Sequence, residues 1–317
     1  MKTWLLVFSC VLASSASAQD SAEWRYYGRD AGGARYAPLK QINRTNVNQL
    51  QPAWTYHTGE IPEGRQRSFE ATPLMVDGRL YLMTPLGKVI ALDPSTGREI
   101  WKYNANVNAQ TRFGDFASRG VSTWIDNRKR PTEFCRRRIF APTVDARLIA
   151  LDAVTGRLCT AFGDSGIVNL RTGLRNNPQN NSEYEVTSPP AIVRDLVITG
   201  SAVADNNRID AASGEVRAFD ARTGALRWTW DPVPQDSADP AHATWQGSNA
   251  RRTGGANTWS VIAADTARGL VFVPTSSPSP DYFGGERVGE NRYANSVVAL
   301  RAATGKVVWH FQTVHHD

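Results

Sequence analysis

The sequence predicts an all-β fold, a β-propeller built of four-stranded blades, and three observations carry that expectation. One turn pattern, Asp-x-x-Thr-Gly or a close variant, recurs four times, within residues 89–101, 148–159, 216–228 and 297–309. Each copy joins two strand-like runs, and the second run carries Trp101, Trp228 or Trp309, with Cys159 closing the aligned part of the second copy. No segment has the spacing of a long amphipathic helix.

Each element follows from local chemistry. In the turn, the Asp side chain can accept from the turn's own backbone, and Gly supplies the positive φ that closes a tight hairpin. Alternation such as Val89-Ile90-Ala91-Leu92 and Glu99-Ile100-Trp101 puts every second side chain on one sheet face. Upstream of each turn stands another strand signal, within residues 73–82, 139–143, 190–199 and 270–274. The intervals between turn glycines 97, 156, 224 and 305 each hold one blade with its loops. A β-sandwich would not repeat the same turn at that spacing, whereas a propeller does. Ala53-Trp54-Thr55-Tyr56 resembles a last blade strand without its partners, of the kind that closes a ring and hides an edge.

Composition narrows the class. With 317 residues, 41% hydrophobic and 21% charged, the chain can bury a core, and Gly 25 plus Pro 17 excludes collagen-like and low-complexity readings. Met1-Lys2-Thr3, an apolar run from Trp4 to Ala13 and Ala16-Ser17-Ala18 describe a secretory signal peptide cut after Ala18. That organisation gives a leader at residues 1–18 and an exported, periplasmic protein from residue 19 to 317, with no later transmembrane segment. Cys135 and Cys159 then remain, either paired in an oxidising compartment or as two buried thiols; neither has zinc-site spacing. The formal charge of +6 gathers at Asn127-Arg128-Lys129-Arg130 and Arg136-Arg137-Arg138. Without a nucleic-acid motif this reads as a solvated loop, and no nucleic-acid partner is expected.

Longer stretches resemble the pyrroloquinoline-quinone (PQQ) dependent dehydrogenases, and most of all the catalytic propeller of the membrane glucose dehydrogenase branch. They include Trp24-Arg25-Tyr26-Tyr27-Gly28-Arg29-Asp30-Ala31-Gly32-Gly33-Ala34-Arg35-Tyr36, Phe69-Glu70-Ala71-Thr72-Pro73-Leu74, Ser118-Arg119-Gly120-Val121, Gly200-Ser201-Ala202-Val203-Ala204-Asp205-Asn206 and Trp309-His310-Phe311-Gln312-Thr313-Val314-His315-His316-Asp317. The resemblance implies an eight-bladed ring, of which about half is present here. It implies oxidation of a sugar or alcohol CH–OH group with PQQ and Ca²⁺, electrons passing to a quinone or cytochrome.

Residue by residue, the resemblance makes Glu70, Arg119, Thr143, Asn257 and Trp259 cofactor-binding, Trp259 being the floor under the planar ring. Arg suits the cofactor's carboxylates by its fork geometry. Asp205 and Ser277 take the places of calcium ligands, Ser277 standing where alcohol-oxidising members place Asn; calcium wants hard oxygen donors. Asp317 takes the place of the general base. Taken alone, an Asp-Asn pair is a turn, a lone Trp is core, and His315-His316-Asp317 is a weak metal guess. The family's adjacent-cysteine disulfide is replaced by Phe116-Ala117-Ser118, and Asp115 stands at a His-bearing position of the glucose branch. The rival expectation is a non-catalytic PQQ-like propeller serving as an envelope scaffold. Because the family pattern continues past Asp317, a third is a truncated chain whose isolated form neither binds PQQ tightly nor turns over.

Overall fold

The computed structural model describes residues 23–60 and 68–317, so the expected leader at residues 1–18 lies outside the described residues. A short strand β1 (Ser68–Phe69) leads into the first blade, β2 (Leu74–Val76), β3 (Arg79–Met83), β4 (Lys88–Leu92) and β5 (Glu99–Asn104). After β6 (Ala117–Ser118) comes the second blade, β7 (Ser122–Ile125), β8 (Arg137–Pro142), β9 (Arg147–Asp152) and β10 (Ile167–Asn169). A further short strand β11 (Tyr184–Glu185) precedes β12 (Ala191–Val193) and β13 (Leu196–Thr199). Next come β14 (Ala202–Val203), β15 (Val216–Asp220) and β16 (Leu226–Trp230). The last blade is β17 (Ala263–Asp265), β18 (Leu270–Pro274), β19 (Ser296–Arg301) and β20 (Val307–Gln312). β12, β13, β15 and β16 form the third blade, while β14 pairs with β11 and β1 with β6. Each blade is an antiparallel meander in chain order, so four propeller blades stand among the described residues, as the repeat predicts.

The repeated turns behave as their composition requires. Gly97, Gly156, Gly224 and Gly305 sit at φ of 70–72°, where an L side chain is strained. Asp93, Asp152 and Asp220 each accept from two backbone N–H groups two and three residues on. Just before three of these turns the ladder shifts register, at Ala91/Leu92, Ala218/Phe219 and Ala299/Leu300.

The core lies in the seams between blades, with Leu74, Tyr81 and Ile139 buried in the first seam and Val216, Val271 and Val298 in the third. Trp101 crosses the first seam: its indole N–H donates to Ala153 O at 3.0 Å, and its ring covers Gly156, where a Cβ would come within 2.6 Å. Trp228 repeats this across the third, donating to Ala302 O at 2.8 Å over Gly305. The second seam is built otherwise. Thr160 stands four residues after Gly156, where a Trp follows the other turns. There Gly163 N–H donates to Thr223 O at 2.9 Å, and backbone covers Gly224 directly. Arg138, 2% exposed, donates to Ala221 O at 2.8 Å and Arg222 O at 2.7 Å. One arginine of the basic loop is therefore a buried seam residue and not a solvated cation. Cys135 and Cys159 are paired as a disulfide in this same cluster, with Phe140 and Phe162.

Residues 51–57 join no ladder among the described residues, as expected of a blade strand without its partners. Trp54 covers Gly97 and donates to Pro94 O at 3.0 Å. Helix is confined to three 3₁₀ turns among the described residues, and no described helix is long and apolar enough to cross a membrane.

Candidate functional site

The antiparallel meander brings two kinds of connection to one end of the blades. These are the entries into the innermost strands and the links between second and third strands. β12 packs between β7 and β17, so the loops leading into these strands converge there. They surround a cavity of about 460 Å³ whose wall includes Arg119, Asp205, Asn257, Trp259 and Ser277. Five sequence-predicted residues, far apart in the chain, thus share one site. The volume suits a small planar ligand or cofactor.

Arg119 is placed by backbone pairing. β1 and β6 run parallel, and Glu70 N–H donates to Ser118 O at 3.1 Å, so Glu70 and Arg119 leave the pair side by side. Their side chains form an ion pair at 2.8 Å. The guanidinium lies 5.1 Å from the Trp259 ring centre and donates to Thr187 Oγ1 at 2.7 Å, while Arg119 N–H donates to Thr187 O at 2.9 Å. Trp259, 45% exposed, presents its ring at the cavity. Its carbonyl accepts from Ser188 Oγ at 2.7 Å and Thr187 Oγ1 at 3.3 Å, which fixes the ring's backbone from below. A cation beside an aromatic face, both open to one cavity, can grip a flat anionic molecule by stacking and by charge.

Across the cavity, Asp205 follows β14, and Asp281 donates its backbone N–H to Asp205 O at 3.2 Å. Burial, then the nearby Asp281 carboxylate, pushes the Asp205 carboxyl up to about 7. Asn257, 2% exposed, donates to Ser201 O at 2.8 Å and turns its Oδ1 toward Ser276 Oγ at 3.2 Å. Ser277 Oγ donates to Asp317 Oδ2. Repelled carboxylates beside amide and hydroxyl oxygens make a hard-oxygen donor set of the type that suits a calcium ion, so the residues present fit that group.

Asp317 reaches the site through Ser277 and is held on its other side by Arg287, fully buried, at 2.6 Å. Burial opposes its ionisation, but the Ser277 hydrogen bond and the Arg287 guanidinium outweigh this and hold the carboxyl below its usual range.

Thr143 does not join them. It is fully buried and closes the turn between β8 and β9: its N–H donates to Arg147 O at 2.8 Å, and its Oγ1 accepts from Arg147 N–H at 3.0 Å. The threonine that meets Arg119 is Thr187. Sequence reasoning missed Glu185, which lines the cavity together with Asp115. A signal was there: Glu185-Val186-Thr187-Ser188-Pro189 repeats Glu70-Ala71-Thr72-Pro73 one residue longer, each at the entry of a blade.

Comparison with known proteins agrees with this geometry. The family described as glucose/ethanol/alcohol dehydrogenase, beta-propeller domain (PQQ) matches residues 24–317. The glycerol dehydrogenase large subunit of Gluconobacter oxydans (strain 621H) is 37% identical over 94% of this chain and 40% of its own length. The quinoprotein glucose dehydrogenase of Escherichia coli (strain K12) is 37% identical over 96% of this chain and 39% of its own. Among solved structures, quinohemoprotein alcohol dehydrogenase from Comamonas testosteroni superposes with a TM-score of 0.75 at 30% identity, over 93% of this chain and 42% of that one. The chain spans about 40% of the length of the curated relatives it matches.

Proposed function

The chain belongs to the PQQ-dependent glucose/ethanol/alcohol dehydrogenase β-propeller family, and from that premise we propose that its cavity is the PQQ pocket of a dehydrogenase acting on the CH–OH group of a sugar, polyol or simple alcohol. One observation supports this above the others: Arg119, Asp205, the Asn257–Trp259 pair and Ser277 arrive on four separate loops at a single cavity. When bound, PQQ would supply an ortho-quinone that takes up two electrons and one proton from carbon together, as a hydride.

The chain's own residues would do the rest. Arg119, steadied by Glu70 and Thr187, offers a forked pair of donors to a cofactor carboxylate. Trp259 would offer its aromatic face to the planar cofactor, and Asn257 would offer polar contact. Asp205 and Ser277 would hold Ca²⁺, whose charge relieves the repulsion between Asp205 and Asp281. Asp317, kept ionised by Ser277 and Arg287, is the base that accepts the substrate hydroxyl proton. Arg287 fixes the direction of that carboxylate, so the proton acceptor is aimed before substrate arrives. The expected leader and the disulfide together support export to the periplasm, with a quinone or cytochrome as electron acceptor.

The test is titration of the full-length protein with PQQ in the presence of Ca²⁺, read by tryptophan fluorescence, followed by turnover of glucose, glycerol and ethanol with a dye acceptor. Saturable quenching that weakens roughly 100-fold in Arg119→Met, about the worth of a charge-assisted pair, is the expected result. Absence of any saturable change in the wild-type protein would remove the reading.

A further inference from the structure

Glu185 is the most enclosed acid of the cavity wall, 3% exposed, and nothing in the proposed chemistry uses it. It sits at the end of β11, whose ladder with β14 pairs Glu185 with Ala202. Its two carboxylate oxygens face two consecutive backbone N–H groups of a different segment: Gly114 N–H donates to Oε1, and Asp115 N–H donates to Oε2 at 3.3 Å. Two residues further along the same segment, Thr187 takes Arg119 by backbone and side chain, at 2.9 and 2.7 Å. Residues 185–187 therefore grip residues 114–119 at both ends. The span between the grips includes Phe116 in a left-handed conformation at φ 36°, a backbone that requires outside support.

We propose that Glu185 is a positioning residue: its ionised carboxylate latches the Gly114–Asp115 turn against the cavity and so sets the approach of Arg119 to the cofactor. This rests on the PQQ reading of the cavity for its consequence, though not for the latch itself. The geometry needs the carboxylate in particular. Two N–H donors call for two acceptor oxygens, and a neutral carboxylic acid or an amide offers one good acceptor and turns a donor toward the other N–H.

The charges around Glu185 make the latch sensitive to pH. Burial, opposed by the two backbone hydrogen bonds, raises its carboxyl to about 7; Asp115 on the turn it holds adds to the rise, and Arg171 beyond β10 counters it. Asp115 is itself raised by burial, with Arg119 pulling down and Glu70 pushing up. The sign runs in two directions. As pH rises through about 7 the latch gains its second acceptor. The fold meanwhile loses stability as pH rises from the ordinary carboxylate value of 4.5 to about 7, because there the folded state holds a proton that the unfolded state has lost. Tighter positioning and lower stability with rising pH distinguish a latch from a packing role.

Amide hydrogen exchange of the full-length protein, without cofactor, tests the proposal in wild type, Glu185→Gln and Glu185→Ala at pH 6 and 8. In wild type, protection factors at Gly114 and Asp115 should rise several-fold from pH 6 to 8, while β8 and β9 stay unchanged. In Glu185→Gln both amides should stay at the low value at both pH values, and half-saturation by PQQ with Ca²⁺ should weaken about tenfold at pH 8, one decade of affinity. Wild-type protection retained in Glu185→Gln, or a pH step that persists in it, overturns the latch. Should the variants unfold, the wild-type step alone decides, and its absence is likewise fatal. Failure of wild type to bind PQQ would remove the cofactor reading and leave the exchange result to judge Glu185.

Discussion

The first and third seams between blades use one solution and the second uses another. In the former, a Trp indole donates to the residue after the turn's first position and its ring lies on the turn glycine, as Trp101 does on Gly156 and Trp228 on Gly305. In the latter the equivalent acceptor is Ala221 O, and it is reached by Arg138 from the neighbouring blade. The covering over Gly224 is backbone at Gly163. The acceptor is therefore the constant and the donor is free to vary. A long, buried cation can take the part of an indole N–H, provided something else supplies the missing bulk. Phe140, Phe162 and the Cys135–Cys159 bond supply it.

That contrast can be broken in graded steps by urea denaturation of single variants. The largest loss is expected for Trp228→Ala, about 4 kcal/mol, because a buried aromatic and its hydrogen bond leave a cavity over Gly305. Equal stability to wild type would show that the ring is not what joins these blades. Cys135→Ser should cost ~3 kcal/mol through the freed 24-residue separation. Reductant should bring wild type down to the same midpoint and leave the variant unmoved. Arg138→Met should cost about 2 kcal/mol, since one buried and one half-buried carbonyl lose their donor while most of the volume is kept. If Arg138→Met matched wild type, the second seam would rest on packing alone.

The blades were legible because their signals are local. An Asp, a Thr and a Gly within five residues fix a turn, and period-two alternation fixes the strands on either side, so the repeat carries the architecture on its own. The site was legible only where a recognised pattern named its residues. Thr143 illustrates the gap: a Thr at a strand end bonds its own turn, and only three-dimensional convergence assigns Thr187 to Arg119. Glu185 was hidden for the same reason. Its partners are backbone N–H groups some seventy residues away, and backbone donors leave no trace in a sequence. Arg138 was misread because three successive arginines look solvated, although alternation along β8 turns the last of them inward.

Trp54 carries a different lesson. It meets blade one as Trp101 meets blade two, yet it stands on a stretch with no ladder at all. At Gly97, Gly156 and Gly305 the same two parts meet, an indole and a glycine, whatever carries the indole. At this flank of blade one, an indole over a glycine covers the turn among the described residues, just as it does inside the molecule.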